Sequence, residues 1–182
     1  MVVFLIIVIL IILCIASVYN SVVSSKHKVE NALSQIEVQL QRRFDLIPNL
    51  VETVKGYMEH EKSVLEKVTE LRTSWASAST IAEKADLDNQ LSSTLKTIMS
   101  VTENYPELKV NENFVELQEE LRSTENKIAY SRQFYNDSVT MYNSKLETIP
   151  TNIVASAFNF KPFELFKVEA EEARQNVKVK FD

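Results

Sequence analysis

The chain has 182 residues, 45% apolar and 25% charged, with 20 basic and 25 acidic side chains, a net charge of −5, four prolines and one glycine, Gly56. Average composition would supply about 7% glycine, roughly 13 residues, and only glycine takes positive φ cheaply, so glycine-built hairpins, dinucleotide fingerprints and phosphate loops are excluded. What remains suits an all-α protein, and the acidic balance argues against a nucleic-acid partner, whose phosphates require clustered Lys and Arg.

The first element is a membrane span. Residues 1–25 carry no charged side chain, and residues 2–18 are apolar except for Ser17. Seventeen helical residues rise about 26 Å, the short end of what crosses a hydrocarbon core of about 30 Å. Tyr19 suits the interface, and Lys26 and Lys28 can reach back to it. A cleaved signal would carry a positive segment ahead of the apolar run, and none precedes it. Cys14 follows Leu13 and sits mid-span, which fits a lipid-facing or packing residue rather than an acylation site. As the single cysteine it excludes an intramolecular disulfide. Because Lys26, Lys28, Arg42 and Arg43 all follow the span, the expected orientation is an external N-terminus and a cytoplasmic body.

After the span the apolar period is helical. Val22, Val29, Leu33, Ile36, Leu40, Phe44 and Ile47 form one stripe, and Leu50, Val54, Tyr57, Val64, Leu65, Val68, Leu71 and Trp75 a second, with Gly56 inside that helix. A glycine there costs about 1 kcal/mol against alanine unless a close contact needs it, so Gly56 reads as a site of close helix packing. At Pro48 two readings are allowed: one kinked helix, or a tight reversal with Asp45 capping a new helix whose first turn accepts the proline. The reversal is favoured because it yields an up-and-down four-helix bundle. Residues 74–80 read as a helix end and connection. Leu87, Leu91, Leu95, Ile98, Val101 and Tyr105 give a third helix, closed by Pro106.

The fourth helix, with Asn111 as N-cap and Pro150 beyond its end, repeats Phe114, Leu121, Ile128, Tyr135, Tyr142 and Ile149 at a spacing of seven. Its companion line, Leu117, Thr124, Ser131, Ser138 and Lys145, turns polar, so a seam in an intramolecular bundle fits better than a two-stranded coiled coil. The expected organisation is a transmembrane helix over 1–19, a helical bundle over 20–150 and a C-terminal tail over 151–182 that packs on the bundle or docks a partner. That tail gathers Ile153, Val154, Ala157, Phe158, Phe160, Phe163, Leu165 and Phe166 ahead of Glu169, Glu171 and Glu172.

Chemistry-bearing patterns are thin. His60-Glu61-Lys62-Ser63-Val64 has Val64 where a zinc-peptidase helix needs a second histidine, so His60 and His27 read as solvated side chains. Neither has a glutamate three residues earlier, as a di-iron bundle requires. No serine sits in a glycine-flanked elbow. Glu116, Glu119 and Glu120 read as a solvated helix face, as do Glu103 and Glu107 beside Pro106. Arg42-Arg43 next to Asp45 could favour a helix dipole or anionic lipid, but a lipid-binding cluster needs about four to eight cations. No catalytic, cofactor-binding or metal-ligating residue is assigned.

Residues Gln39 to Val51, read Gln-Leu-Gln-Arg-Arg-Phe-Asp-Leu-Ile-Pro-Asn-Leu-Val, with Thr53 to Tyr57 and His60-Glu61 after them, closely resemble the bacterial LemA family. So do Tyr105 to Lys109, Asn111 to Phe114, Leu117 to Leu121, Thr124-Glu125-Asn126, Arg132, Tyr135-Asn136, Tyr142-Asn143 and Phe160-Lys161-Pro162. Departures are Leu33 where members often carry tryptophan, Met58 where alanine is usual, and Ile149 where phenylalanine is common. The resemblance implies a single-span bacterial membrane protein with an external N-terminus and a cytoplasmic helical bundle, and it brings no catalytic residues. Some members are encoded beside a membrane zinc protease, which makes a membrane protease a candidate partner. The expected function is a non-enzymatic interaction or scaffold module at the membrane. The alternative is a self-associating structural protein, a homo-oligomer, that organises or senses the membrane surface.

Overall fold

The computed structural model of the chain describes residues 1–58 and 61–166. Among these the regular elements are helices: α1 (Val2–Asp45), α2 (Ile47–Lys55), α3 (Lys62–Ser77), α4 (Ile81–Thr102), α5 (Pro106–Lys109), α6 (Glu112–Glu147) and α7 (Thr151–Ala157). The expected all-α fold is therefore present, and its long helices are α1, α3, α4 and α6. Two compact units contain them, residues 1–46 with 118–165, and residues 47–117 with Phe166.

In the first unit α1 runs unbroken across residues 19 and 20, so the apolar segment and the first bundle helix are one element. That segment is long and apolar enough to cross a membrane and none of it is buried by protein. From Val22 onward the helix changes character. Val22, Val29 and Ile36, spaced by seven, are buried together with Ala32, Leu40 and Phe44. Ala32 takes the buried place beside the expected Leu33, which is only half-buried.

The C-terminal part of α6 lies antiparallel to α1. Arg42 Nη2 is 3.1 Å from Glu120 Oε1, whereas Lys145 Nζ is 2.7 Å from Ser25 Oγ, so contacts move back along α1 as they move forward along α6. Leu121, Ile128, Tyr135 and Tyr142 are buried at their spacing of seven. Each apolar side chain of that size contributes about 1.5–3 kcal/mol when fully buried. The polar companion line is buried as well at Thr124 and Ser138. Their hydroxyls donate to the carbonyls of Glu120 and Phe134 at 2.7 and 2.8 Å, which removes the penalty of burying them. Ile149 departs from the expected line: α6 stops at Glu147, and Ile149 is 82% exposed.

In the second unit α3 packs on both α2 and α4. The join of α3 to α4 is closed by a capping box in which Thr80 Oγ1 accepts from the Glu83 N–H and Glu83 Oε2 accepts from the Thr80 N–H. The same amide bonds hold the Glu83 carboxyl below its ordinary pKa, the Ser79 N–H contributing most. Asn111 caps α6 as expected, its Oδ1 accepting from the Phe114 N–H at 3.1 Å.

Two expectations fail along residues 45–61. The tight reversal favoured at Pro48 is absent: Leu46 alone separates α1 from α2 and keeps helical backbone, φ −78° and ψ −17°. Pro48 fits because it stands in the first turn of α2, where its missing N–H is not needed. Asp45 is not a cap; its carboxylate accepts from Gln41 Nε2 at 2.8 Å. The break falls instead at Gly56, which lies beyond α2 rather than inside a longer helix. A Cβ built on Gly56 would meet nothing within 4 Å, so it is no close-packing site. The physical reason is its low helix propensity, with the chain turning at the weakest helix former in the stripe.

Candidate interaction site

Where the apolar segment ends, three elements gather around it. The Tyr19 ring lies 4.8 Å from that of Phe158 and 5.7 Å from that of Phe160. Lys145 Nζ, from the last turns of α6, donates to Ser21 O, Ser21 Oγ and Ser25 Oγ at 3.2, 3.0 and 2.7 Å. Helix α7 packs on α1 and buries Val154 and Ala155. It ends in a Schellman closure, Phe160 N–H to Ala155 O at 2.9 Å and Asn159 N–H to Ser156 O at 3.2 Å. Asn159, at φ 56°, takes the left-handed position usually given to glycine, which shows how this chain turns without one.

Beyond α7 the chain runs as an irregular strap over residues 160–165. Side chains of α6 satisfy its backbone. Tyr142 Oη donates to Lys161 O at 3.1 Å and Tyr135 Oη to Glu164 O at 2.8 Å. Asn143 pairs with both backbone groups of Phe163, Nδ2 to O at 2.9 Å and Oδ1 from N–H at 3.0 Å. The Phe163 ring meets Tyr142 edge-on at 5.3 Å. Pro162 suits the strap because it brings no N–H to satisfy. Burial pushes both tyrosine hydroxyls above their ordinary range, with Glu164 adding to the effect at Tyr135 and Glu30 at Tyr142.

About 30 Å along α1 from this collar, by its rise of about 1.5 Å per residue, lies a polar layer. Arg43 extends the line Val22, Val29, Ile36 and is buried, with Nη2 2.6 Å from Glu125 Oε2. Arg132, also buried, stands close enough that its pKa falls to about 10, through burial first and then the Arg43 charge. Burial likewise lowers that of Arg43, opposed by Glu125. Arg42 and Arg43 thus both pair with carboxylates of α6, Arg43 from a buried position and Arg42 from a half-exposed one. A third feature is on the open side of α6: Tyr130, Phe134 and Met141 are 75, 52 and 63% exposed and fall within about 40° of one helical face.

The remaining singled-out residues are dispersed. His27 Nδ1 lies 3.0 Å from Glu30 Oε2 on the exposed side of α1, and His60, like Glu169, Glu171 and Glu172, lies outside the described residues. Cys14 is exposed on the apolar segment. Glu116 and Glu119 are exposed, and Glu120 is the partner of Arg42. Glu103 is the C-cap of α4, and Glu107 sits in the first turn of α5. Sequence reading placed Tyr135 and Tyr142 on the apolar line of α6 and Lys145 on its polar companion line, and missed what their polar ends bind. The available signal was two tyrosines in a core line, since a buried phenol needs a partner.

The profile of the LemA family matches residues 32–181. The chain belongs to the LemA family. The matched region begins within α1, beyond the apolar segment, and contains the polar layer, α6 and the strap. Protein LemA of Metamycoplasma hominis is 25% identical, the alignment covering 84% of this LemA-family chain and 70% of that protein. Magnetosome protein MamQ 2 of Paramagnetospirillum magneticum is 26% identical over 82% of this chain. Magnetosome protein MamQ of Magnetospirillum gryphiswaldense is 25% identical over 81%. The chain covers 64% of the length of each MamQ protein, less than two thirds. Residues far apart in the LemA-like motifs meet in the fold: Arg43 with Glu125 and Tyr142 with Lys161.

Proposed function

We propose that this LemA-family chain is a non-enzymatic, membrane-anchored interaction module whose partner is a membrane protein, a membrane protease being one candidate. The observation that carries the reading is α1 itself, one helix that is bare and apolar at its start and packed against α6 further on. Any partner bound by the body is thereby held near the bilayer at a fixed helical register. The exposed stripe of Tyr130, Phe134 and Met141 on α6 supplies aromatic and thioether surface of the kind that anchors protein contacts.

Lys26 and Lys28, directly after the span, support a cytoplasmic body. Protease added to spheroplasts is expected to spare the body along with a cytoplasmic control; digestion of the body alone contradicts that orientation. Chemical crosslinking of the full chain in cells, followed by mass spectrometry, is expected to recover discrete membrane proteins. Recovery of bulk membrane proteins alone contradicts the interaction reading.

A further inference from the structure

We infer that residues 149–160 form a second membrane contact, an interfacial wedge in which Ile153 and Phe158 are seated among lipid acyl chains beside the end of the span. The inference rests on the reading that the start of α1 crosses a membrane. Phe158 closes a shallow apolar recess lined by Ile12, Ile15, Ala16, Tyr19 and Asn20, positions that share one face of α1. Ile12 lies about 21 Å along the helix from Lys26, the first charged side chain. A ring in that recess therefore sits at hydrocarbon depth or just outside it, wherever the span sits in a bilayer.

Three further observations fit lipid as the occupant. Between Glu147 and Lys161 no residue carries a charged side chain, so residues 148–160 match the uncharged character of residues 1–25. Val154 and Ala155 of α7 are buried, while Ile153 is 68% exposed and Phe158, just beyond the helix, 55% exposed. Phe158 lies against the bare surface of the span, so lipid that covers the span reaches its ring. The backbone is also suited to a low-dielectric setting, because the Schellman closure satisfies the amides that would otherwise be free at the end of α7.

The test uses the full chain with Cys14→Ser, labelled at single new cysteines with an environment-sensitive fluorophore and reconstituted in phosphatidylcholine/phosphatidylglycerol vesicles containing acyl-chain nitroxide quenchers. Labels at Ile153→Cys and Phe158→Cys are expected to show blue-shifted emission and strong quenching by a nitroxide placed near the headgroups. Leu13→Cys should be quenched most by a deep nitroxide, and Tyr130→Cys by neither. Quenching at Leu13 with residues 153 and 158 as unquenched as residue 130 overturns the wedge and leaves the span intact. A blue shift at 153 and 158 without lipid quenching means that protein covers them, and also overturns it. Absence of quenching at Leu13 removes the span and the wedge together. Unchanged far-ultraviolet circular dichroism in each variant checks that the label sites report on the folded chain.

Discussion

Arg43 occupies a place in the α1 line where Val22, Val29 and Ile36 would lead one to expect an aliphatic side chain, and the cost of that choice is offset by Glu125 at 2.6 Å. Removing Glu125 takes away the carboxylate that opposes the burial cost of Arg43. Breaking a buried pair costs about 3–5 kcal/mol, and the half-exposed carboxylate brings the expected loss for Glu125→Gln down to about 1–3 kcal/mol. Arg132→Met, which removes a nearby like charge, should recover part of that loss in the double variant. Denaturant unfolding of the full chain in detergent checks both; equal stability of Glu125→Gln and the parent contradicts the layer. Gly56 carries a second residue-level prediction. Its backbone avoids positive φ and its surroundings are open, so Gly56→Ala should raise stability by about 0.4–1 kcal/mol through the unfolded chain. A destabilised Gly56→Ala would restore the close-packing reading. Neither feature was legible from residue type alone: a heptad line does not reveal that one member is an arginine with a partner 82 positions away, and a glycine flanked by apolar residues reads equally well as packed or as a break.

The helices were the legible elements, because a buried stripe every three or four residues survives whatever the helix packs on. Asn111 and Pro106 marked element ends through local chemistry that needs no tertiary contact. Pro48 did not decide its own case, since a proline in a first turn is compatible with a reversal and with a near-continuous helix alike. The strap over residues 160–165 was illegible for another reason: irregular backbone has no period, and its order comes from Tyr135, Tyr142 and Asn143 on a different element. Both tyrosines hold it as neutral donors, and both folded pKa values lie above the ordinary 10.0. Their contribution is therefore fully present below pH 10 and is lost as pH rises through the raised values. Ultraviolet titration of the folded chain should show a component that ionises above the ordinary tyrosine range and disappears after unfolding. Absence of that late component would contradict the strap. Asn143→Leu, which removes both bonds to Phe163, should make residues 160–166 the earliest site of limited proteolysis; unchanged protection would mean that the two tyrosines suffice.

For the molecule as a whole, the near absence of glycine and the one-sided helices narrowed the chain to an all-α helical protein with an uncharged start long enough to cross a membrane, and the LemA-family match over residues 32–181 agrees with the helical body. Function was less legible, because a surface that binds a partner differs from a solvated one by a few exposed side chains; the proposed reading assigns that role to Tyr130, Phe134 and Met141, all exposed on α6. The central claim is that this face of α6 contacts a specific membrane protein while α1 holds the body at the bilayer. A photoreactive amino acid placed at Phe134 of the full chain in living cells tests it most directly, with Thr140, exposed about 120° around the same helix, as the reference position. The account predicts a discrete membrane-protein adduct at residue 134 that is absent at residue 140; identical adduct patterns at the two positions, or none at either, would contradict it.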